Sequence, residues 1–266
     1  MIKSLSYRPE HILKDANGKA WLGHIPFAHW LLGALKPRTF VELGTHEGAS
    51  YFSFCDSVLE NGLMTSCHAV DSWQGDAQAG MYGEDVFNFV KKINSERYQG
   101  FSKLHKCMFD EALDKFDDGA IDLLHIDGFH SYDAVTHDFK TWMPKLASDA
   151  VVLFHDTRVV KPGFGVHKFW DELSSRHPHQ CFEFFHSFGL GVLCTGATEN
   201  IFQKLGPKEI DENGFRRLFE AAGNEITSQN ETPKMKTVTP NEVVHLVKQL
   251  SAQSDTYRRA ICDLVS

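Results

Sequence analysis

The chain lacks the sequence features that mark several large classes of protein. Its six cysteines are scattered over 266 residues and form no C-x-x-C pair, so neither a disulfide framework nor a paired-cysteine zinc site is expected. Long basic runs are absent and the formal net charge is −8. Because phosphate binding needs clustered cations, a nucleic acid is not expected to be the partner.

Long apolar runs are also missing. Residues 1–15 are polar and do not contain the apolar core of a signal peptide. The longest apolar stretch, 25–35, is interrupted by Pro26 and His29, so we expect no membrane span. Together with the unpaired cysteines, this favours a cytoplasmic protein. The hydrophobic fraction of 42% and the length are those of one large globular domain, or of one domain with an appendage.

Short apolar segments alternate with helical patterns along the first two thirds of the chain. This alternation is typical of a mainly parallel sheet with helices on both faces. Two more apolar runs flank Ser187-Phe188-Gly189 and predict a C-terminal antiparallel hairpin. The fold class is therefore predicted to be α/β and Rossmann-like. The predicted strands are 39–43, 66–70, 103–108, 121–126, 150–154, 181–186 and 190–195.

The chain divides into three predicted parts. Residues 1–24 are interpreted as an N-terminal arm, 25–196 as the α/β domain and 197–266 as a helical C-terminal extension. Within the extension, apolar residues between 241 and 264 recur at alternating steps of four and three, the period of a coiled-coil seam. That seam predicts either a homo-oligomer, docking on a partner, or a helix packed on its own domain.

The segment that follows the first predicted strand has the composition of a cofactor-binding loop. Glu42 ends the strand, Gly44 and Gly48 turn the chain, and a predicted helix begins at Ala49. The glycines let the backbone approach a ligand, and the helix N-terminus offers free N–H groups. The spacing differs from the G-x-G-x-x-G of dinucleotide folds. An acidic residue before the first glycine suits a ligand with an ammonium group, such as S-adenosylmethionine.

Further polar residues stand at predicted strand ends, where open parallel sheets bind their ligands. Asp71 ends the second strand, 27 positions after Gly44, and is a candidate acceptor for ribose hydroxyls; a turn or helix-capping role is the alternative.

Asp127 ends the fourth strand with His130 close behind, and His155 and Asp156 end the fifth. Asp127, His155 and Asp156 could hold a divalent metal, and His130 is a candidate general base. Asp127-Gly128 is alternatively a simple turn.

Taken together, four strand-end motifs resemble those of class I S-adenosylmethionine-dependent methyltransferases. The resemblance covers about residues 25–196, and within the class it is similar to a branch that includes catechol O-methyltransferases, macrolide-sugar O-methyltransferases and cephalosporin-hydroxylase-like proteins. The motifs are Val41-Glu42-Leu43-Gly44-Thr45-His46-Glu47-Gly48-Ala49-Ser50, Ala69-Val70-Asp71-Ser72-Trp73, Asp122 to Tyr132, and Val152-Leu153-Phe154-His155-Asp156-Thr157.

The resemblance implies a role for each matching residue. It implies that S-adenosylmethionine binds at the first motif, with its ribose at Asp71. It also implies that Asp127 lies near the transferred methyl group and that Asp127 and Asp156 ligate Mg²⁺ in metal-using members. Those members have Asn or Glu as the third ligand, where this chain has His155 and Thr157 beside Asp156, so the metal is left open. The loop and the resemblance together predict the cofactor-binding residues Glu42, Gly44, Thr45, Gly48, Ser50, Asp71 and Asp127.

The leading functional hypothesis is methylation of a hydroxyl group on a small molecule or sugar. Trp73 and Tyr132 are candidates for cation–π contact with the cofactor's sulfonium. One alternative is a nicotinamide-dependent oxidoreductase. Another is a non-catalytic subunit that binds S-adenosylmethionine and acts as a scaffold in a glycan-assembly system.

Overall fold

The computed structural model describes residues 19–78, 80–196 and 199–230. The predicted seam at 241–264 and most of the predicted N-terminal arm lie outside these residues. None of the described helices combines the length and the apolarity that crossing a bilayer requires.

A seven-stranded sheet forms the centre of the described chain, in the order β5-β2-β1-β6-β7-β9-β8. A separate pair of two-residue strands, β3 and β4, forms a small hairpin. The strands are β1 (Thr39–Leu43), β2 (Ser66–Asp71), β3 (Gly75–Asp76), β4 (Gly80–Met81), β5 (Ser102–Lys106), β6 (Ile121–Ile126), β7 (Leu146–His155), β8 (Cys181–Phe184) and β9 (Leu190–Cys194).

The pairing of the strands confirms the predicted α/β fold. The contacts β1–β2, β1–β6, β2–β5 and β6–β7 are parallel, whereas β9 pairs antiparallel with both β7 and β8. The predicted hairpin is present, and β9 lies between β7 and β8. Strand β7 begins four residues before the predicted start at 150, because exposed Ser148 and Asp149 interrupt the apolar pattern without ending the strand.

Helices cover both faces of the sheet, because alternate strand residues point to opposite faces. In β1, Phe40 packs with one buried cluster and Val41 with the other. The helices are α1 (Lys19–Leu22), α2 (Ile25–Leu35), α3 (Ala49–Glu60), α4 (Glu84–Ile93), α5 (Phe109–Ala112), α6 (Tyr132–Trp142), α7 (Val166–Arg176), α8 (Ile201–Leu205) and α9 (Glu212–Asn230). The first cluster contains residues of α1 to α4, α8 and α9, and the second contains residues of α5 to α7.

Both ends of the described chain contribute to the first of these clusters. Trp21 of α1 is buried there, and so are Phe215 and Phe219 of α9. The Phe219 ring lies 5.6 Å from that of Phe27 in α2. The described parts of the predicted arm and extension thus share the core of the sheet domain. The three-part division of the whole chain stays a prediction.

Candidate active site

A cleft of about 370 Å³ opens at the carboxyl ends of β1 and β6. The sheet order reverses at this point, since β2 follows β1 on one side and β7 follows β6 on the other. Open α/β sheets bind ligands at such a switch point. The predicted site residues that line the cleft are Gly44, Thr45, Ser50, Asp71, Asp127, His130, His155 and Asp156.

Two glycines shape the loop between β1 and α3. Gly44 has φ +89°, and a Cβ there would lie 2.1 Å from the carbonyl oxygen of Asp127. Gly48 has φ +85° and precedes the first residue of α3, with no room for a Cβ beside the Phe52 ring. The glycines are required by backbone conformation and by close packing, and Gly48 itself does not line the cleft.

Glu42 lies below the loop rather than in the cleft wall. Its side chain points to the same face of the sheet as Phe40 and is fully buried, with Oε2 2.8 Å from Nδ1 of His125 on the neighbouring strand. Burial raises the pKa of Glu42, although the contact with His125 acts in the opposite direction. Direct binding of the cofactor by Glu42 stays a prediction.

The Asp71 carboxylate holds two turns of backbone at the cleft. Its Oδ2 accepts hydrogen bonds from the N–H groups of Thr45 and His46, both at 2.8 Å, and its Oδ1 accepts one from Trp73 at 2.6 Å. His46 and Trp73 have φ of 48° and 50°, a conformation that costs a non-glycine residue about 1–2 kcal/mol. These hydrogen bonds stabilise both strained residues.

The aromatic residues that line the cleft differ from those named in the sequence analysis. Tyr82 lines it and lies 4.6 Å, ring to ring, from His46; Phe109 and Trp21 also line it. Trp73 is instead buried, and its Nε1–H donates to the His46 carbonyl oxygen.

Tyr132 likewise stands apart from the cleft wall. Its hydroxyl donates to Glu172, 2.8 Å away. The sequence analysis named neither Phe109 nor Trp21. Phe109 follows β5 closely, so its position at a strand end is a signal that could have found it, whereas nothing in the sequence pointed to Trp21.

The carboxyl ends of β6 and β7 bring four ionisable side chains together. Nε2 of His130 lies 2.9 Å from Asp156 and 3.5 Å from Asp127. Nδ1 of His155 lies 3.5 Å from Asp127 and 3.6 Å from Asp156. Asp127, His130 and Asp156 offer ligand atoms that all lie within 4.8 Å of one another. The compact trio therefore contains His130, where the sequence analysis had grouped His155 with the two aspartates.

The charges in this group stabilise one another. Burial opposes a charge on His130, but hydrogen bonds and attraction from Asp127 and Asp156 outweigh it and raise its pKa to about 10. Burial likewise opposes a charge on Asp127, yet His155 and His130 hold the pKa of Asp127 well below its usual range. Burial disfavours a protonated His155, but Asp127 and Asp156 raise its pKa. His130 is thus positively charged near neutral pH in this arrangement.

The same group has the chemistry of a divalent cation site. Two carboxylates and an imidazole suit a metal such as Mn²⁺ or Fe²⁺, and carboxylates also suit Mg²⁺. A ligating histidine must be neutral, so a cation would take the place of the proton on Nε2 of His130.

Comparison with known proteins identifies the domain that carries this site. Residues 41–157, which include β1, β2, β5, β6 and β7, match the family described as a methyltransferase domain. The chain thus contains a domain of the class I S-adenosylmethionine-dependent methyltransferases. Its sheet order and its cleft at the switch point agree with that match.

The individual proteins that resemble this chain either have low sequence identity or align over only part of their length. The uncharacterized protein y4gI of Sinorhizobium fredii is 50% identical over 188 residues, which cover 71% of this chain but only 20% of that protein. The chain thus spans about a fifth of the length of this relative.

Two solved structures resemble this chain in fold. A candidate O-methyltransferase from Klebsiella pneumoniae has a TM-score of 0.53 and 15% identity, covering 74% of this chain and 94% of that one. A candidate caffeoyl-CoA O-methyltransferase from Staphylococcus aureus has a TM-score of 0.51 and 13% identity, covering 65% and 82%. At these identities the likeness concerns the fold.

Proposed function

We propose that the chain transfers a methyl group from S-adenosylmethionine to a hydroxyl group of a small molecule or sugar. The observation that supports this most directly is the cleft at the switch point of the sheet. Its two sides differ in chemistry. Asp71 and the glycine loop form the side suited to a nucleoside cofactor, and the histidine–aspartate group forms the side suited to a polar acceptor.

On the cofactor side, Asp71 is the proposed partner of the ribose hydroxyls. An ionised carboxylate offers about four acceptor positions, and three are used by the loop N–H groups. Acceptor capacity therefore remains on a side chain that lines the cleft. Tyr82 and Phe109 supply apolar walls beside it. When bound, S-adenosylmethionine supplies an electrophilic methyl group on its sulfonium.

On the acceptor side, Asp127, His130 and Asp156 are the proposed residues that orient the hydroxyl group and receive its proton. A protonated imidazole cannot accept a proton, so His130 acts as a base only after its contact with the carboxylates is relieved. A divalent cation held by Asp127 and Asp156 alone, with Nε2 of His130 not ligated, would relieve it, and would also lower the pKa of a bound hydroxyl group. His155 lies beside Asp127 and Asp156 and stabilises the negative charge of Asp127.

Positioning is expected to contribute more than proton transfer. Correct orientation of two reactants supplies about 7–11 kcal/mol of a barrier, whereas a general base supplies roughly 3–5 kcal/mol. The rigid loop held by Asp71 therefore matters more to the rate than the identity of the base.

The two alternatives have less support. The methyltransferase family match and the absence of G-x-G-x-x-G argue against a nicotinamide-dependent oxidoreductase. A scaffolding subunit would need the cofactor side of the cleft but not the acceptor side, and the convergence of two histidines and two aspartates on the acceptor side favours an enzyme.

Titration calorimetry and a product assay test the proposal together. The protein should bind S-adenosylmethionine and S-adenosylhomocysteine but not NAD⁺. With hydroxylated sugars and phenols as acceptors, with and without Mg²⁺ or Mn²⁺, it should release S-adenosylhomocysteine, and the His130→Gln variant should release it at least about 100-fold more slowly. Binding heat with NAD⁺ but none with S-adenosylmethionine would contradict the proposal. Cofactor binding without turnover on any acceptor would favour the scaffold.

A further inference from the structure

The side chain of Gln78 connects three separate segments beside the acceptor side of the cleft. It lies in the turn between β3 and β4. Its Oε1 lies 2.9 Å from both the backbone nitrogen and the Nδ1 of His130. Its Nε2 donates to the Gly163 carbonyl oxygen, also at 2.9 Å. One amide thus joins the β3–β4 turn, the segment after β6 and the segment after β7.

Backbone groups fix which way this amide faces. The backbone N–H of His130 can only donate, so the Gln78 atom beside it must be the oxygen. The Gly163 carbonyl can only accept, so the atom beside it must be the nitrogen. The usual ambiguity between the two ends of a glutamine side chain is therefore resolved twice, by two independent partners.

The orientation of Gln78 in turn decides the state of the His130 ring. Its Nδ1 faces an acceptor that has no hydrogen to give, so Nδ1 must carry a proton. Nε2 is then the nitrogen that faces Asp127 and Asp156, whether it bears a proton or offers a lone pair. The ring of Phe164 stacks on the imidazole at 4.7 Å and 6°, and the Gly165 N–H donates to the His130 carbonyl at 2.7 Å.

We infer that Gln78 is the positioning residue for His130: it keeps the proton on Nδ1 and directs Nε2 toward the substrate that accepts the methyl group. This inference deepens the proposed function and rests on the role proposed there for His130. A histidine that works in a cleft needs its second nitrogen held by an acceptor, which fixes both the tautomer and the ring angle. Gln78 supplies that acceptor. Its hydrogen bond to the Gly163 carbonyl also helps to position the neighbouring Phe164, whose ring stacks on His130.

Two substitutions at Gln78 separate its contacts. Gln78→Leu keeps the approximate volume and removes both hydrogen-bonding functions. Gln78→Glu keeps an oxygen for the N–H groups of His130 but has no donor for Gly163. The control is Gln74→Leu in the same loop, where the glutamine is exposed.

The test is proton and nitrogen NMR of the full chain labelled with ¹⁵N-histidine, in EDTA, with and without S-adenosylhomocysteine. The His130 signals are assigned by their loss in His130→Gln. The wild type, Gln74→Leu and Gln78→Glu should show a hydrogen-bonded Nδ1 proton that exchanges slowly with water. In Gln78→Leu its exchange should be roughly tenfold faster, and the affinity for S-adenosylhomocysteine should stay within about twofold of the wild-type value.

An Nδ1 proton that is equally protected in Gln78→Leu would overturn the inference, and so would its loss in Gln78→Glu. Loss of cofactor binding in Gln78→Leu would also overturn it, because the effect would then not be confined to His130. Failure of the wild type to bind S-adenosylmethionine would count against the proposed function alone, since the state of Nδ1 is measured without the cofactor.

Discussion

At the ends of β1 and β2 the cleft is held by backbone hydrogen bonds, whereas at the ends of β6 and β7 it is held by ionisable side chains. The Asp71 carboxylate accepts three main-chain N–H groups. Asp127 and Asp156 instead face the rings of His130 and His155. Amide donors keep their protons at all ordinary pH values, but imidazoles gain and lose theirs.

The difference suggests that the two sides of the cleft have different roles. Under the proposed function, the first side holds a fixed shape for a cofactor whose structure does not vary. The second side would exchange a proton for a cation, because two carboxylates and two imidazoles lie together there. Gly44 lies where the two sides meet, with its Cα close to the backbone of Asp127.

Gly44→Ala should have the largest effect, because it disturbs both sides at once. The new Cβ would lie 2.1 Å from the Asp127 carbonyl oxygen, so the free energy of unfolding should fall by about 3 kcal/mol or more. The control is Gly62→Ala, where φ is +62° but no atom lies within 4 Å; it should cost only about 1 kcal/mol. Urea unfolding measures both free energies. Equal losses of stability in the two variants would show that the close approach of Gly44 to the Asp127 backbone is unimportant.

Asp71→Ala should affect the first side only. It leaves three N–H groups without their acceptor and removes the proposed ribose partner, so S-adenosylhomocysteine should bind at least about tenfold more weakly, a loss of roughly 1.4 kcal/mol. Asp71→Asn keeps one acceptor oxygen, so its affinity for S-adenosylhomocysteine should lie between those of the wild type and Asp71→Ala. Calorimetry measures the affinities.

The matched control for Asp71 is Asp122, which lies near the amino end of β6, at the opposite end of the strands from the cleft. Asp122 also accepts backbone N–H groups, those of Arg38 and Thr39. Asp122→Ala should lower the stability and leave the affinity unchanged. Equal weakening by Asp71→Ala and Asp122→Ala would mean that Asp71 acts only through general stability.

His130→Gln should have the smallest effect on stability, and that effect should depend on pH. The folded-state pKa of His130 is raised to about 10, against about 6.5 in an unfolded chain. The stabilisation is therefore complete below pH 6.5 and is lost as pH rises through 10. In EDTA the variant should be less stable than the wild type by on the order of 1 kcal/mol at pH 6, less than the pKa shift alone implies because the introduced amide still donates to the carboxylates. The gap should close as pH rises through 10.

Thermal unfolding across this pH range measures that gap. His137→Gln is the control, since it removes an exposed histidine–aspartate contact of a kind that contributes little. A gap that is constant with pH would show that the contacts of His130 with the carboxylates do not stabilise the fold through its charge.

Much of the site was predictable because the strands end where the apolar patterns end. Gly44, Asp71, Asp127 and Asp156 all follow predicted strands, and all four line one cleft. The compact trio contains His130, whereas the sequence analysis had grouped His155 with the aspartates. Which ring enters the trio depends on the turns after β6 and β7, including φ of +63° at Asp156, and a pattern of apolar residues carries no information on such angles.

The sequence by itself determined the order of strands and helices, the glycine turns and the set of polar residues at the strand ends, because periodicity and local backbone preference act over a few residues. Only the tertiary structure decided that Asp71 holds the turns of His46 and Trp73, and that Gln78 reaches His130 across 52 positions of the chain. Contacts between segments far apart in sequence depend on how the whole sheet packs. The local patterns of a single sequence do not show which distant segments come into contact.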